Sequence, residues 1–196
     1  MITIDEITIV VDGREIIYDY SEQIPAGSIT VIVGPNGCGK STLLAAIAGD
    51  IAPDKGIITI DEHHPILTPA NTLAGIRSMV VQNQSFVLGF TVSQVIEMAG
   101  PSTDVMKALE LTEIADRLVT TLSGGEAQRV AIAQAIAQNA PVLLLDEPLA
   151  AQDVHSRGRI IELLKSLAEQ GKTIVVVAHS NETELSWADK VIKQFH

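Results

Sequence analysis

The stretch "GPNGCGKS", Gly34 to Ser41, decides the fold of this 196-residue chain. It follows an apolar run, "SITVIV", and precedes "TLLAAIAG", which predicts a strand that turns sharply through glycines into a helix. The stretch fits the pattern G-x-x-x-x-G-K-[ST], in which backbone N–H groups converge on phosphate oxygens at a helix start. We therefore expect it to hold the phosphates of a nucleoside triphosphate, and we call it the phosphate loop.

Two residues of the phosphate loop have specific predicted roles. Lys40 is expected to reach the β- and γ-phosphates, and the Ser41 hydroxyl can bind Mg²⁺. The alternative is a glycine turn that only packs a strand on a helix, which the strand, loop and helix context disfavours. The other predicted nucleotide-binding residues here are Gly34, Pro35, Asn36, Gly37, Cys38, Gly39 and Thr42.

Composition limits the classes of protein and partner. The net charge is −11 with only 13 Lys and Arg, which argues against a nucleic-acid partner because neutralising phosphates needs clustered basic residues. No apolar run approaches the ~18 residues of a membrane span, and the first residues carry no basic leader. The single cysteine is compatible with a reducing compartment. We expect a cytoplasmic protein with no direct membrane insertion.

The strand and helix patterns predict one α/β domain over residues 1–196. Apolar β-branched runs alternate with helical patterns, as in a mostly parallel sheet covered by helices. The opening, "ITIDEITIVVDGREIIYDYS", predicts an antiparallel subdomain that turns at Asp12-Gly13. Residues 86–122, approximately, predict a helical subdomain, and 182–187 predict a last helix. Further strands are predicted at "GIITI", "RSMVV", "PVLLLD", "KTIVVVA" and "KVIKQF".

Two carboxylates follow the apolar run in "PVLLLDEP". Asp146 is expected to hold a metal ion through water, and Glu147 to face the γ-phosphate as the base that polarises an attacking water. Either carboxylate alone is compatible with an ordinary acidic strand end. The pair, downstream of a phosphate loop, favours the catalytic interpretation.

A second candidate anion site opens "LSGGEAQRVAIAQAIA", and we call residues 122–126 the signature loop. The Ser123 hydroxyl, the Gly124 and Gly125 amides and the helix start can together bind a phosphate. The alternative is that Ser123 only caps the helix, with Glu126 as its capping-box partner. Capping does not exclude binding of a phosphate presented from outside, so both interpretations stay open.

These motifs together resemble the nucleotide-binding subunit of ATP-binding cassette (ABC) transporters. "LSGGE" followed by "QR" is far more specific to that family than the phosphate loop is. The resemblance implies a P-loop ATPase fold and extends to three further residues. Gln82 in "VVQNQ" matches the Q-loop glutamine that contacts the metal and the attacking water. Asp153 in "LAAQD" matches the D-loop, and His179 in "VVVAHS" matches the switch histidine near the γ-phosphate.

The resemblance implies a dimer with ATP and Mg²⁺ as cofactors. The phosphate loop of one copy and the Ser123 loop of another clamp one ATP, and the second subunit is the same or a related chain. It also implies a transmembrane permease subunit, with this chain on the inner face of the membrane. ATP-driven closure and reopening would be the mechanical output.

Three departures from the family pattern bear on function. Val11 stands where the family usually stacks the adenine on an aromatic side chain, which predicts weak or permissive base recognition. Gln152 stands in the D-loop where leucine is usual, which puts the D-loop's packing in question. Because the chain stops soon after His179, we expect no C-terminal regulatory domain of the kind that some importers carry.

The partner and the cargo are the least specified features. Phe86, Val87, Leu88 and Phe90 predict an apolar patch for the permease, with buried core as the alternative. The pattern of "FTVSQVIEMAG", and "DVHS" after the D-loop, weakly resemble ATPases of siderophore, haem or cobalamin importers. The alternative function is a soluble ABC ATPase in DNA repair, chromosome organisation or ribosome function. The coiled-coil insertions, second cassette or basic surfaces of that class are not visible in the sequence.

Overall fold

The computed structural model describes residues 1–82, 86, 89–178 and 185–193. Its strands are β1 Ile2–Val11, β2 Arg14–Ile24, β3 Ile29–Val33, β4 Lys55–Ile60, β5 Arg77–Val80, β6 Val142–Asp146, β7 Thr173–Ala178 and β8 Lys190–Lys193. Its helices are α1 Lys40–Ala48, α2 Ala70–Ala74, α3 Val92–Glu97, α4 Thr103–Ala108, α5 Gly124–Ala137 and α6 Val154–Glu169.

The main sheet contains five described strands in the order β5-β6-β7-β3-β8, and every neighbouring pair is parallel. The α/β fold with a mostly parallel core sheet is therefore confirmed. Because parallel strands end at the same edge, the segments that follow β3, β5 and β6 emerge on one side of the molecule. That edge collects the phosphate loop, Gln82 and the carboxylates after β6.

The smaller sheet is antiparallel, in the order β2-β1-β4. Asp12 and Gly13 form the turn between β1 and β2, with φ of 50° and 75°. Positive φ at both central residues gives the twist that a two-residue hairpin needs, as the sequence predicted. The strand predicted at "GIITI" forms as β4 and joins this sheet, pairing with β1.

Two apolar clusters cover the two faces of the parallel sheet, and the strands contribute to them alternately. Leu143 and Leu145 lie in the cluster that includes α5 and α6 residues, whereas Val142 and Leu144 lie in the cluster of α1 and the antiparallel sheet. This alternation is the period of two that a strand buried on both faces requires. It fixes α1, and with it the phosphate loop, on the side of the antiparallel sheet.

The segment around 86–122 is helical, as expected, and contains α3, α4 and two 3₁₀ turns, Thr112–Ile114 and Val119–Thr121. Phe86 and Phe90 are half-buried and pack against the core cluster of α5 and α6. Both rings therefore contribute to core packing, which stabilises the fold by burying apolar surface, and the docking patch for the permease stays a prediction. Val87 and Leu88 lie outside the described residues.

The helix predicted for residues 182–187 is not supported where the structure describes it. Residues 185–187 form coil and a turn, in which the Ala188 N–H donates to the Leu185 carbonyl at 3.0 Å. Leu185 and Trp187 are buried in the larger core cluster. Helix α2, in contrast, was not predicted, because its five residues show no helical periodicity.

Candidate active site

A cavity of about 350 Å³ lies at the edge where the parallel strands end. It joins residues from five segments that are far apart in the sequence. Its described lining is Val11, Ile16, Asn36, Gly37, Gly39, Lys40, Ser41, Thr42, Gln82 and Glu147. Nine of these were predicted from motifs, and Ile16 was missed because a strand isoleucine carries no functional signal.

Gly39 is the residue that shapes the phosphate loop. It is the N-cap of α1 in the left-handed conformation, with φ of 99°, which an L side chain adopts only at a cost. A Cβ here would also lie 2.9 Å from Ile16 Cγ2. Among the described residues no side chain caps α1, and its first turn contains no acidic residue. The start of α1 therefore keeps the partial positive charge that favours an anion.

Lys40 is held beneath the phosphate loop with only 5% of its surface exposed. Its Nζ donates to the Gly34 carbonyl at 2.9 Å and to the Pro35 carbonyl at 2.8 Å. Two carbonyl dipoles thus compensate the desolvated ammonium group. A phosphate oxygen that replaced or joined these acceptors would form a stronger, charge-assisted bond.

Gln82 and Glu147 meet at the cavity, although 65 residues separate them in the chain. The Gln82 Nε2 donates to Glu147 Oε2 at 2.8 Å. Glu147 has a φ of 50°, a strained value for a non-glycine residue, and its N–H donates to the Val177 carbonyl at 3.0 Å. The neighbouring strand thus helps to hold a conformation that turns the carboxylate towards the loop.

The residues predicted to bind metal offer only oxygen ligands, namely the Ser41 hydroxyl, the Gln82 amide and the Asp146 carboxylate. Asp146 is 5% exposed at the end of β6 and is not part of the described lining of the cavity, which suits a contact through water. Within the described residues no group of three His, Cys, Asp or Glu forms a metal cage. This set fits Mg²⁺, which prefers oxygen and usually keeps waters and substrate phosphates among its ligands.

The signature loop begins α5 with a complete capping box. The Glu126 N–H donates to Ser123 Oγ at 3.3 Å, and the Ser123 N–H donates to Glu126 Oε2 at 2.7 Å. The Ser123 backbone N–H, followed by its hydroxyl, lowers the pKa of the Glu126 carboxyl. Arg117 Nη1 donates to Glu126 Oε1 at 2.9 Å, a contact that no motif predicted. Of Ser123, Gly124, Gly125 and Glu126, none belongs to the described lining of the cavity.

Asp153 and Cys38, two further predicted site residues, are not part of the described cavity lining. Asp153 caps α6 by accepting from the Ser156 N–H at 2.9 Å, and that bond is the main reason that its pKa is lowered. His179 lies outside the described residues, so its role stays a prediction. Cys38 is half-buried and packs against the α1 core cluster.

One part of the cavity is aliphatic, because Val11 and Ile16 line it. Val11 is 38% exposed, and Tyr18, on the neighbouring strand, is 57% exposed and is not part of the described lining. Val11 thus lines the cavity, and its contact with adenine stays a prediction. The described lining offers no aromatic ring for a base to stack on.

The family model of the ABC transporter matches residues 17–150, which include the phosphate loop, Gln82, the signature loop and the strand-end carboxylates. The chain belongs to the ABC transporter family. This ABC protein is 36% identical over 202 residues to the hemin import ATP-binding protein HmuV of Rhodococcus jostii. The aligned region covers 96% of this chain and 69% of the relative.

Two other relatives carry different cargo names. The cobalamin import ATP-binding protein BtuD of Halobacterium salinarum is 38% identical, and the aligned region covers 92% of the ABC protein and 49% of the relative. The manganese transport system ATP-binding protein MntB of Listeria innocua is 35% identical, with coverages of 96% and 84%. A solved dimeric ATP-binding cassette in a post-hydrolysis state, bound to ADP and Pi, superposes with a TM-score of 0.87 at 28% identity and covers 100% of this chain and 94% of that one.

These findings confirm the sequence-based identification of an ABC ATPase. The ABC protein is an ATP-binding, ATP-hydrolysing subunit of a membrane transporter. The alternative of a soluble ABC ATPase in DNA repair, chromosome or ribosome function is not the one its relatives support. In the part of the chain that the structure describes, no helix has the length and apolarity to cross a bilayer.

Proposed function

We propose that two ABC subunits close on ATP, with the phosphate loop of one copy and the signature loop of the other on opposite sides of the triphosphate. The observation that carries this proposal is the meeting of Lys40, Gln82 and Glu147 at one cavity, with the 2.8 Å bond from Gln82 to Glu147. Lys40 supplies a cation for the phosphates, Glu147 supplies a carboxylate base, and the Gln82 amide orients that carboxylate.

Each residue of the cavity has a distinct task in the proposed reaction. Lys40 binds the β- and γ-phosphates, and Glu147 accepts the proton of the attacking water as a general base. Gln82 orients the Glu147 carboxylate and the water. Ser41, Gln82 and, through water, Asp146 would hold Mg²⁺, which would supply charge neutralisation at the phosphates. His179, which lies outside the described residues, is proposed to contact the γ-phosphate on its sequence match alone.

The dimer is proposed because one chain provides only half of the site. The signature residues do not belong to the described cavity lining, yet they form a helix start that can take an anion. The similar cassette solved with ADP and Pi is dimeric. In the proposed dimer, Asp153 lies at the contact between copies, and Val11 contacts the adenine. A permease subunit holds the dimer at the inner face of the membrane.

The proposed cargo is a metal chelate that is imported. The hemin and cobalamin import proteins among the relatives, together with the sequence likeness noted above, support this class. The manganese transport relative favours a bare metal ion as the competing cargo. Co-purification of a tagged copy with its permease from solubilised membranes, followed by metal and chelate analysis of the complex in vesicles, distinguishes the two.

The catalytic proposal is tested with Glu147→Gln, and Glu169→Gln is the matched control at the exposed end of α6. Removing the base is expected to lower kcat by roughly 10²- to 10⁴-fold while nucleotide binding is kept, because the amide cannot accept a proton. Glu147→Gln is also expected to accumulate as an ATP-bound dimer on size exclusion. Turnover near the parent rate would show that Glu147 is not the base.

The dimer proposal is tested on the parent protein. ATPase activity is expected to rise more than linearly with protein concentration, since each site needs a second copy. Salt is expected to assist pairing at low ionic strength, because two chains of charge −11 repel each other. Linear activity from a monomer at every ATP concentration would contradict the two-copy site.

A further inference from the structure

The D-loop, residues 149–153, lies directly against the first turn of α5. A Cβ placed on Gly125 would be 2.9 Å from the Ala151 carbonyl oxygen, closer than real Cβ contacts allow. Gly124, in contrast, would meet no atom within 4 Å. The second glycine of the signature loop is therefore required by the D-loop of its own chain, whereas the first faces open space.

The Gln152 side chain bridges the two loops. Its Nε2 donates to the Gly125 carbonyl at 3.0 Å, and its Oε1 accepts from Arg129 Nη1 at 3.1 Å. Because a carbonyl only accepts and a guanidinium only donates, these partners fix which way the amide points. Gln152 is 6% exposed, so both ends of a buried amide are satisfied by α5.

The other side of the D-loop is fixed to α6. Arg157 Nε donates to the Leu149 and Gln152 carbonyls, each at 3.1 Å. Asp153 caps α6 through Ser156, whose Oγ also lies 3.5 Å from Arg129 Nη1. The D-loop is thus a short segment hydrogen-bonded both to the start of α6 and to the start of α5.

We propose that Gln152 is a positioning residue that holds the signature loop in place through the D-loop of the same chain. It acts on the Gly125 carbonyl, next to the amides that face the second copy's nucleotide, so its effect on turnover rests on the dimeric site proposed above. The two loops move as one unit when the dimer closes. The apolar isostere Gln152→Met, which keeps the length but neither hydrogen bond, uncouples them.

Hydrogen exchange in the nucleotide-free protein tests the positioning itself and does not depend on dimer formation. Gln152→Met is expected to speed exchange at the first intrahelical amides of α5, beginning with Ala127, whose N–H donates to the Ser123 carbonyl at 2.9 Å. Gln170→Met, at the exposed end of α6, is the control and is expected to leave this turn unchanged. Unchanged exchange in Gln152→Met overturns the proposal.

Kinetics test the consequence of the positioning. Gln152→Met is expected to raise the protein concentration of half-maximal ATPase activity about tenfold, while the affinity of the monomer for a fluorescent ATP analogue stays within twofold. A residue that only stabilised the fold would lower the melting temperature without moving that midpoint. If the parent protein shows cooperative activity and Gln152→Met has the same midpoint concentration as the parent, the proposed role is overturned. If the ATPase activity of the parent protein is linear in protein concentration while Gln152→Met still alters hydrogen exchange, the dimeric function is overturned and the positioning role stands.

Gln152→Glu separates the two arms of the bridge. The carboxylate still accepts from Arg129 but cannot donate to the Gly125 carbonyl. If the arm to Gly125 positions the loop, Gln152→Glu and Gln152→Met shift the midpoint alike. Parent-like behaviour of Gln152→Glu would show that the contact with Arg129 is sufficient, which contradicts the proposal.

Discussion

The phosphate loop and the signature loop both lead through glycines into a helix, yet they present opposite environments to an anion. Helix α1 begins at a left-handed glycine with no side-chain cap among the described residues, and Lys40 lies beneath it. Helix α5 begins at Ser123, whose N–H and hydroxyl both donate to the Glu126 carboxylate, at 2.7 and 2.8 Å. The first loop can bind phosphate alone. At the second, the Ser123 hydroxyl must release the Glu126 carboxylate before it can donate to an external phosphate.

This difference indicates an order of events. A capping interaction contributes roughly 1 kcal/mol, so opening the box of Ser123 and Glu126 costs little compared with the binding of a triphosphate. Nucleotide would occupy the phosphate loop first, and the second copy's signature loop would engage only when the dimer closes. Arg117, which contacts both Glu126 and the Thr121 carbonyl, keeps the displaced carboxylate close to a positive charge.

Lys40→Met is expected to have the largest effect of the substitutions that distinguish the phosphate loop from the signature loop. Losing a buried, charged donor to phosphate is expected to weaken ATP binding by the monomer roughly 10- to 100-fold. Lys172→Met is the control, because Lys172 also donates to a backbone carbonyl, that of Ala140, at 2.9 Å but lies outside the cavity lining. Isothermal titration of both variants is the measurement. Equal loss in the two variants would mean that the effect is on the fold.

A smaller effect of opposite sign is expected from Glu126→Gln, which keeps a capping-box side chain but removes its charge. With one carboxylate fewer beside the incoming phosphates, the protein concentration of half-maximal activity is expected to fall about fivefold at low salt. ATP binding by the monomer should not change. A midpoint that stays the same at low salt would mean that Glu126 is already neutralised by Arg117.

The same variant has a predicted pH dependence. Since the pKa of Glu126 is lowered in the folded protein from its ordinary value of 4.5, its stabilisation is present above that value and lost as pH falls through the folded pKa. Glu126→Gln lacks this titration. The difference in melting temperature between the parent and the variant is therefore expected to shrink as pH falls below about 4.5 and to level off below the folded pKa, in a series measured at constant ionic strength.

Val11→Tyr tests how much the aliphatic side chain at this position limits the affinity of the cavity for ATP. An aromatic ring at this half-exposed position is expected to raise ATP affinity about threefold by stacking on adenine. GTP affinity should rise by a similar factor, because stacking does not read the base edge. The control is Val10→Tyr. Val10 is the preceding residue of the same strand and is equally exposed, but it is not part of the described lining. Equal gains in both variants would place the base elsewhere.

The sequence predicted the parts of the site that carry chemistry in a contiguous motif. The phosphate loop, the carboxylates after β6 and the capping box of Ser123 could be identified because each needs particular residues at short spacing. The bridge from Gln152 to Gly125 could not, because the two residues are 27 positions apart and meet only through the packing of α5 and α6. The burial of Phe86 and Phe90 was also unpredictable, since an apolar residue fits a core as well as a surface patch.

The smallest effect is expected at Cys38, which lies between two glycines that line the cavity but is not itself part of the described lining. Its side chain is half-buried against the α1 core cluster, so Cys38→Ser, which fits the same space, is expected to change kcat/KM by less than twofold. Alkylation is different, because a maleimide adduct is too large for that space and would displace the loop. Slow labelling that Mg-ATP suppresses, with loss of ATP binding in proportion, is the expected result by mass spectrometry. Because Cys38 is the single cysteine, Cys38→Ser is an unlabelled control for the same reagent. Equal labelling with and without Mg-ATP, or full activity after complete labelling, would show that the phosphates leave this part of the loop uncovered.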